Sequence, residues 1–353
     1  MRVVALEEHF VRPDLVARID PEVIAARGWP LAATDQPASM KRDDPLADVG
    51  ASRLASMDRA GISVQVLSSA TPGPELLPPD EAIDFSRAYN DGLAATVREH
   101  PDRYAGFATL PLRAPEAAAD ELERAVVELG FVGTMVNGTT DGKFLDAPEF
   151  DCVLARAAAL DVPIYVHPNL PVPEVFAAHY ADLPGTTGFT ASMAGWGWHS
   201  ETAVHVLRLV LSGALDRHRN LKIVVGHMGE GLPLMLERFD DKLTPEAGHL
   251  SRSVSRTILD QVWITTSGIF SVPAFLATLL TFGVERILFS VDYPYADNER
   301  ATRFLDALPL SPADRLAVAA GNADALLGLT PADVGGGCTT DEVGRPTSVG
   351  AAT

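Results

Sequence analysis

Cysteine is nearly missing from this 353-residue chain: Cys152 lies in a helical pattern and Cys338 in a glycine-rich stretch. Neither has a partner at the spacing of a cysteine zinc site, so a disulfide framework is not expected and a reducing compartment fits. Basic residues are also few. Against 47 Asp and Glu there are 28 Lys and Arg, a formal charge of −19, which argues against nucleic acid or an anionic membrane as partner. No apolar run approaches the roughly 20 residues of a membrane span. The opening run from Met1 to Leu6 is interrupted by Glu7 and is too short for a signal peptide. These absences predict a cytoplasmic protein with no membrane and no nucleic-acid partner. A glycine-rich phosphate loop is also lacking after the first apolar run, which counts against a dinucleotide fold.

What is present is a sizeable core, at 47% hydrophobic and 21% charged residues. Eight apolar runs recur at 2–6, 63–68, 104–110, 131–136, 162–167, 221–226, 262–266 and 286–291. They are rich in Val, Ile, Leu and Phe with little alternation, as strands buried on both faces are. Helical patterns separate them, among them 114–129, 147–160, 200–214, 232–242 and 272–282. Such alternation predicts parallel strands joined by right-handed crossovers, and eight of them predict an α/β, TIM-type (β/α)8 barrel. One domain is expected over 1–330, with 331–353 a disordered tail around Gly335-Gly336-Gly337. Two connections are too long to be turns: 10–50, with Pro13, Pro21, Pro30, Pro37 and Pro45, and 168–199, with an apolar stretch from Phe189 to Trp198. Both are expected to be insertions that wall a pocket.

Four strand ends carry residues that ligate metals. Glu7 and His9 stand two apart, so on a strand they share a side while Glu8 points away. His167 closes Val162-Pro163-Ile164-Tyr165-Val166, and Asp292 closes Ile287-Leu288-Phe289-Ser290-Val291. A lone histidine or aspartate at such a place is commonly a core or capping residue. Together they differ, because barrel strand ends converge on one rim and strands one and eight are neighbours. A set of N and O donors suits a divalent ion such as zinc or manganese. After the sixth run, Gly226-His227-Met228-Gly229-Glu230-Gly231-Leu232-Pro233 predicts a tight strand-to-helix loop in which Glu230 accepts from the His227 ring. Gly226, Gly229 and Gly231 would let that backbone turn and approach a ligand closely.

Those segments, with Ala5-Leu6-Glu7-Glu8-His9-Phe10 and Phe289-Ser290-Val291-Asp292-Tyr293-Pro294, resemble the amidohydrolase superfamily. The nearest resemblance is to its branch of γ-resorcylate, 2,3-dihydroxybenzoate and aminocarboxymuconate-semialdehyde decarboxylases. It covers about residues 1–330, and Glu7-x-His9 matches the decarboxylases rather than the His-x-His of many hydrolases. The resemblance implies metal ligands at Glu7, His9, His167 and Asp292, active-site roles for His227 and Glu230, and Arg238 near the site. It also implies a homodimer or homotetramer. Strand four ends in Met135-Val136-Asn137-Gly138, without the lysine of binuclear relatives, so one divalent ion per chain, zinc or manganese, is expected and no organic cofactor.

The expected activity is non-oxidative decarboxylation of a small ortho-hydroxylated aromatic carboxylic acid, hydroxybenzoate- or resorcylate-like. Asp292 would protonate the ring carbon and His227, oriented by Glu230, would bind the phenolic oxygen or move a proton. The same residues would serve a second chemistry, hydrolysis of a lactone, ester or amide by metal-bound hydroxide. Glu7-x-His9, the lysine missing from strand four and the aromatic insertion around Trp196 and Trp198 favour decarboxylation.

Overall fold

The computed structural model describes residues 1–31 and 45–329. Eight short parallel strands run in chain order: β1 (Val4–Phe10), β2 (Val64–Ser69), β3 (Tyr104–Gly106), β4 (Thr134–Asn137), β5 (Pro163–His167), β6 (Lys222–Val225), β7 (Val262–Thr265) and β8 (Ile287–Leu288). They pair as β1-β2-β3 and as β4-β5-β6-β7-β8. Backbone bridges span both seams, Ala108 to Thr134 on one side and Glu8 to Tyr293 on the other. The His9 amide donates to Tyr293 O at 2.7 Å and the Asp292 amide to Glu7 O at 3.0 Å. Followed around, the hydrogen bonds return to β1, giving the barrel expected from eight apolar runs.

The strands are apolar on both faces, yet parity sorts them. Val66, Met135, Tyr165, Val224 and Leu288 turn inward and are closed below by Leu326 and Leu327 of helix Asn322–Leu327, while Val136, Val166, Val225 and Ile264 face the outer helices. By that parity His167 shares the inner side with Tyr165. β1 departs from it. Ala5 pairs with Gln65 but Glu8 with Leu67, so three steps on β1 match two on β2, a bulge. The extra residue puts Glu7 and His9 on the inner side that Val4 and Leu6 already occupy, and sends Glu8 outward.

Some predicted boundaries shift for identifiable reasons. β1 extends to Phe10, so Glu7 and His9 lie within the strand rather than past its end. β8 is shorter than 286–291, because the Phe289 amide leaves the sheet to donate to Val318 O. β3 stops at Gly106, after which the chain switches partners, with Phe107 N bonding Leu67 O and Ala108 N bonding Gly133 O. The helix expected over 232–242 opens as a 3-10 turn (Leu232–Leu234) directly after the left-handed residues and becomes α-helical only at Leu236 (Leu236–Lys242). Both long insertions contain short helices, including Pro21–Ala26 and Pro173–His179, each started by proline at its first position. Cys338 and the tail expected over 331–353 lie outside the described residues, as does Pro37.

Phe107 is fully buried in the barrel interior, its ring 6.1 Å from that of Tyr165. Phe107→Ala is therefore expected to lower the unfolding free energy by about 3–5 kcal/mol, read from the midpoint of urea denaturation.

Candidate active site

A cavity of about 940 Å3 opens at the end of the barrel where the strands finish. The first insertion lines it through Ile24, Trp29 and Leu46, the second through Met193, Trp198 and His199. The insertions also hold each other. The Arg27 guanidinium donates to Leu170 O and, at 2.8 Å, to Pro171 O, and Trp29 meets Phe189 edge to face at 6.3 Å. Trp198 stands 6.2 Å from the His167 ring, whereas Trp196 is 63% exposed and points away.

At the floor, Glu7 is wholly buried. Its Oε1 lies 3.4 Å from His167 Nε2, 3.7 Å from His227 Nε2 and 3.8 Å from His9 Nε2. His9 Nε2 is in turn 3.3 Å from Asp292 Oδ1. Donor atoms 3–4 Å apart have about the spacing of ligands around one divalent ion bound at about 2.1 Å. Among the described residues, Glu7 Oε1 and His9 Nε2 are buried with no hydrogen-bond partner. Unsatisfied polar atoms so placed are costly unless a cation joins them. Glu7, His9 and His167 form one cluster able to hold a metal, and Asp292 reaches it through His9. The residues therefore fit a single divalent ion, and two carboxylates would balance its charge.

The electrostatics follow from this crowding. Burial alone would raise the Glu7 carboxyl, but the charges of His227, His167 and His9 outweigh it and hold the group below the usual carboxylate range. Burial would lower His9, yet Asp292 and Glu7 beside it push it up to about 9. His167, with burial and the neighbouring His9 against it, drops to about 4. Adjacent imidazoles with opposite shifts share one carboxylate.

Each position has a local cause. The second Glu7 oxygen, Oε2, accepts from the Tyr165 hydroxyl, which also meets Thr265 Oγ1 at 2.8 Å. Gly226 lies against this carboxylate: a Cβ there would sit 2.7 Å from Glu7 Oε2 and 2.9 Å from Ser267 Oγ. His227, Met228, Gly229, Glu230 and Gly231 all have positive φ, from 50° to 83°. Three of these are not glycine, and left-handed backbone at such residues costs about 1–3 kcal/mol each. The result is a loop that folds His227 back over the floor. The Glu230 carboxylate accepts from His227 Nδ1 at 2.8 Å, and its other oxygen accepts from His199 Nδ1 at 2.5 Å. Burial works against the Glu230 anion, but His227 and His199 lower its pKa, while Glu230 and Glu7 raise that of His227 against burial.

The structure thus brings together Glu7, His9, His167, Asp292, His227 and Glu230. Arg238 it does not bring: on helix Leu236–Lys242 the side chain is exposed and lines no part of the cavity. Sequence reasoning assigned no role to two residues here, Tyr165 and His199. Tyr165 was legible in principle, being two positions before His167 on one strand. His199 carries no pattern, because it begins a helix (Gly197–Leu211) inside an insertion.

Gly226→Ala is expected to leave the circular dichroism spectrum unchanged while displacing Glu7. Metal uptake, measured by elemental analysis after dialysis against manganese, should weaken about 10-fold or more.

Comparison with known proteins gives a consistent picture. Residues 9–329 match a family model described as Amidohydrolase. A γ-resorcylate decarboxylase of Rhodococcus jostii is 38% identical over 92% of this chain and 98% of its own. The decarboxylase orsB of Emericella nidulans is 43% identical over 75% of this chain and 80% of its own. Among solved structures, a dihydroxybenzoic acid decarboxylase from Polaromonas sp. JS666, with bound manganese and the inhibitor 2-nitroresorcinol, superposes with a TM-score of 0.77. It shares 32% identity and covers 92% of this chain and 96% of that one.

Proposed function

The chain belongs to the amidohydrolase family, and from that premise we propose that it is a metal-dependent, non-oxidative decarboxylase of small ortho-hydroxylated aromatic carboxylic acids. The observation that carries this is the convergence of Glu7, His9, His167, Asp292 and His227 at the floor of one cavity, with Glu7 Oε1 and His9 Nε2 buried without a hydrogen-bond partner. The dihydroxybenzoate and resorcylate activities of its relatives give the substrate class.

Glu7, His9, His167 and Asp292 would hold one divalent ion, manganese as in the Polaromonas relative or zinc. When bound, that ion supplies positive charge to the substrate's carboxylate and phenolic oxygens. The remaining chemistry belongs to side chains. Asp292, at the cavity edge of the cluster, takes up a proton from the neighbouring His227 imidazolium and passes it to the ring carbon that bears the carboxylate. A carbon–hydrogen bond forms, the bond to the carboxylate breaks, carbon dioxide leaves, and the bonding electrons restore the aromatic ring. Asp292 is left as the anion. His227 Nε2, 3.9 Å from Asp292 Oδ2, is the source of that proton, and Glu230 on Nδ1 keeps that imidazole charged and aimed. Trp29, Met193 and Trp198 give the ring an apolar wall and exclude water.

The same proposal has one barrel domain over 1–330 and a cytoplasmic location. No helix among the described residues is long and apolar enough to cross a membrane. A homodimer or homotetramer fits the exposed Leu234, Met235 and Leu280, which lie on adjoining elements tied by Thr281 Oγ1 to Pro233 O. Arg238, exposed on the helix that follows, would then act only from a neighbouring chain.

Two outcomes test the reading. Protein stripped with a chelator and given one equivalent of manganese should release carbon dioxide from 2,6-dihydroxybenzoate, 2,3-dihydroxybenzoate or an alkyl salicylate. Release from none of them, with turnover of a lactone or amide, would replace decarboxylation by hydrolysis. Asp292→Asn should lower kcat by about 10²–10⁴-fold while 2-nitroresorcinol still binds, checked by calorimetry; near-normal turnover would remove Asp292 from the proton step.

A further inference from the structure

We infer that Glu8, the residue between two of the proposed ligands, is a positioning residue that fixes the Asp292 carboxylate from outside the barrel. The inference rests on the reading of Asp292 as ligand and proton donor. The bulge in β1 sends Glu8 to the outer face, where it is completely buried. Its strand neighbours on that face, Ala5 and Phe10, are apolar, and its polar partners come from other elements.

The hydrogen bonds explain the choice. Glu8 Oε1 accepts from the Val291 amide at 2.9 Å and from Ser290 Oγ at 3.3 Å. Oε2 accepts from the Tyr293 amide at 3.2 Å and from Gln65 Nε2 at 3.3 Å. One carboxylate thus holds the amides on both sides of Asp292. The Asp292 amide itself goes to Glu7 O, so three successive N–H groups are tied to two successive residues of β1. Asp292 needs such a hold, because its φ is 73°, a conformation an aspartate keeps only when its surroundings impose it.

Arg53 completes the clamp. Buried behind β1, it donates to His9 O at 2.9 Å and to Gln65 Oε1 at 2.8 Å, stands over the Tyr293 ring at 4.8 Å, and partly counters the burial that pushes the Glu8 carboxyl up to about 8. The strand that carries Glu7 and His9 is therefore fastened, through its one outward acidic side chain, to the loop that carries Asp292. Loss of the acceptor would free the Val291 and Tyr293 amides and let Asp292 relax away from His9 Nε2.

Glu8→Gln tests this, because the amide keeps the size but replaces one acceptor oxygen with a donor. Manganese affinity, measured by calorimetric titration of stripped protein, should fall about 10–100-fold relative to wild type. At saturating manganese, kcat should fall about 10-fold with KM little changed, since the cavity walls are untouched. Folded Glu8→Gln with a lower melting temperature but manganese affinity and kcat within about twofold of wild type would overturn the inference, leaving Glu8 a stabilising residue only. If Glu8→Gln does not accumulate folded, Gln65→Met loosens the same carboxylate from behind. It should shift manganese affinity in the same direction, and no shift would overturn the inference. Wild-type protein that takes up no manganese would instead overturn the reading of the site itself, and this inference with it.

Discussion

A carboxylate without access to water at the bottom of a barrel is tolerable only if positive charge is held against it. Glu7 is that carboxylate, and much of this molecule is arranged around it. Three imidazoles face one of its oxygens and a tyrosine hydroxyl holds the other. In the same low-dielectric surroundings the imidazoles divide, one pushed up to about 9 and another down to about 4. A divalent cation drawing on these donors would meet such opposed demands together.

The backbone accepts local irregularity to build that arrangement. An extra residue in β1 breaks strict inside–outside alternation and turns both Glu7 and His9 inward while Glu8 faces out. Five left-handed residues in succession after β6 turn the chain hard enough to bring His227 back over Glu7. A missing side chain at Gly226 leaves room for the Glu7 carboxylate itself. Regular barrel geometry supports these departures from below, through a tightly packed interior and the helix Asn322–Leu327 that closes it. Strain is gathered at the end where chemistry happens, and regularity at the other.

Much of this was legible in the amino-acid order because barrel strands announce themselves as short apolar runs, and because packing alone seldom puts an ionisable side chain where such a run closes. The sharing of a side by Glu7 and His9, the partnership of His227 with Glu230 and the walling role of both insertions were readable in this way. The bulge was not, since a bulge leaves no mark in a run that is apolar on both faces. The short β8 depended on Val318, far along the chain, offering a competing acceptor. His199 depended on how an insertion folds, which hydrophobic periodicity does not encode. Trp196 and Trp198 are equally aromatic and two apart, and only the local turn decides that one faces the cavity and the other solvent. Arg238 was implied near the site only by the family resemblance, and its helix presents it to the outside.

Arg27 links the fates of the two insertions. Its guanidinium reaches from the first to two carbonyls of the second, over a contact that Trp29 and Phe189 seal. Walls fastened to each other keep one relative position, so the cavity they line takes its shape from both together. Evolution of substrate preference is constrained accordingly: a change in either insertion is felt by the other, and altered selectivity should come from compensating pairs of substitutions across the clasp rather than from single ones.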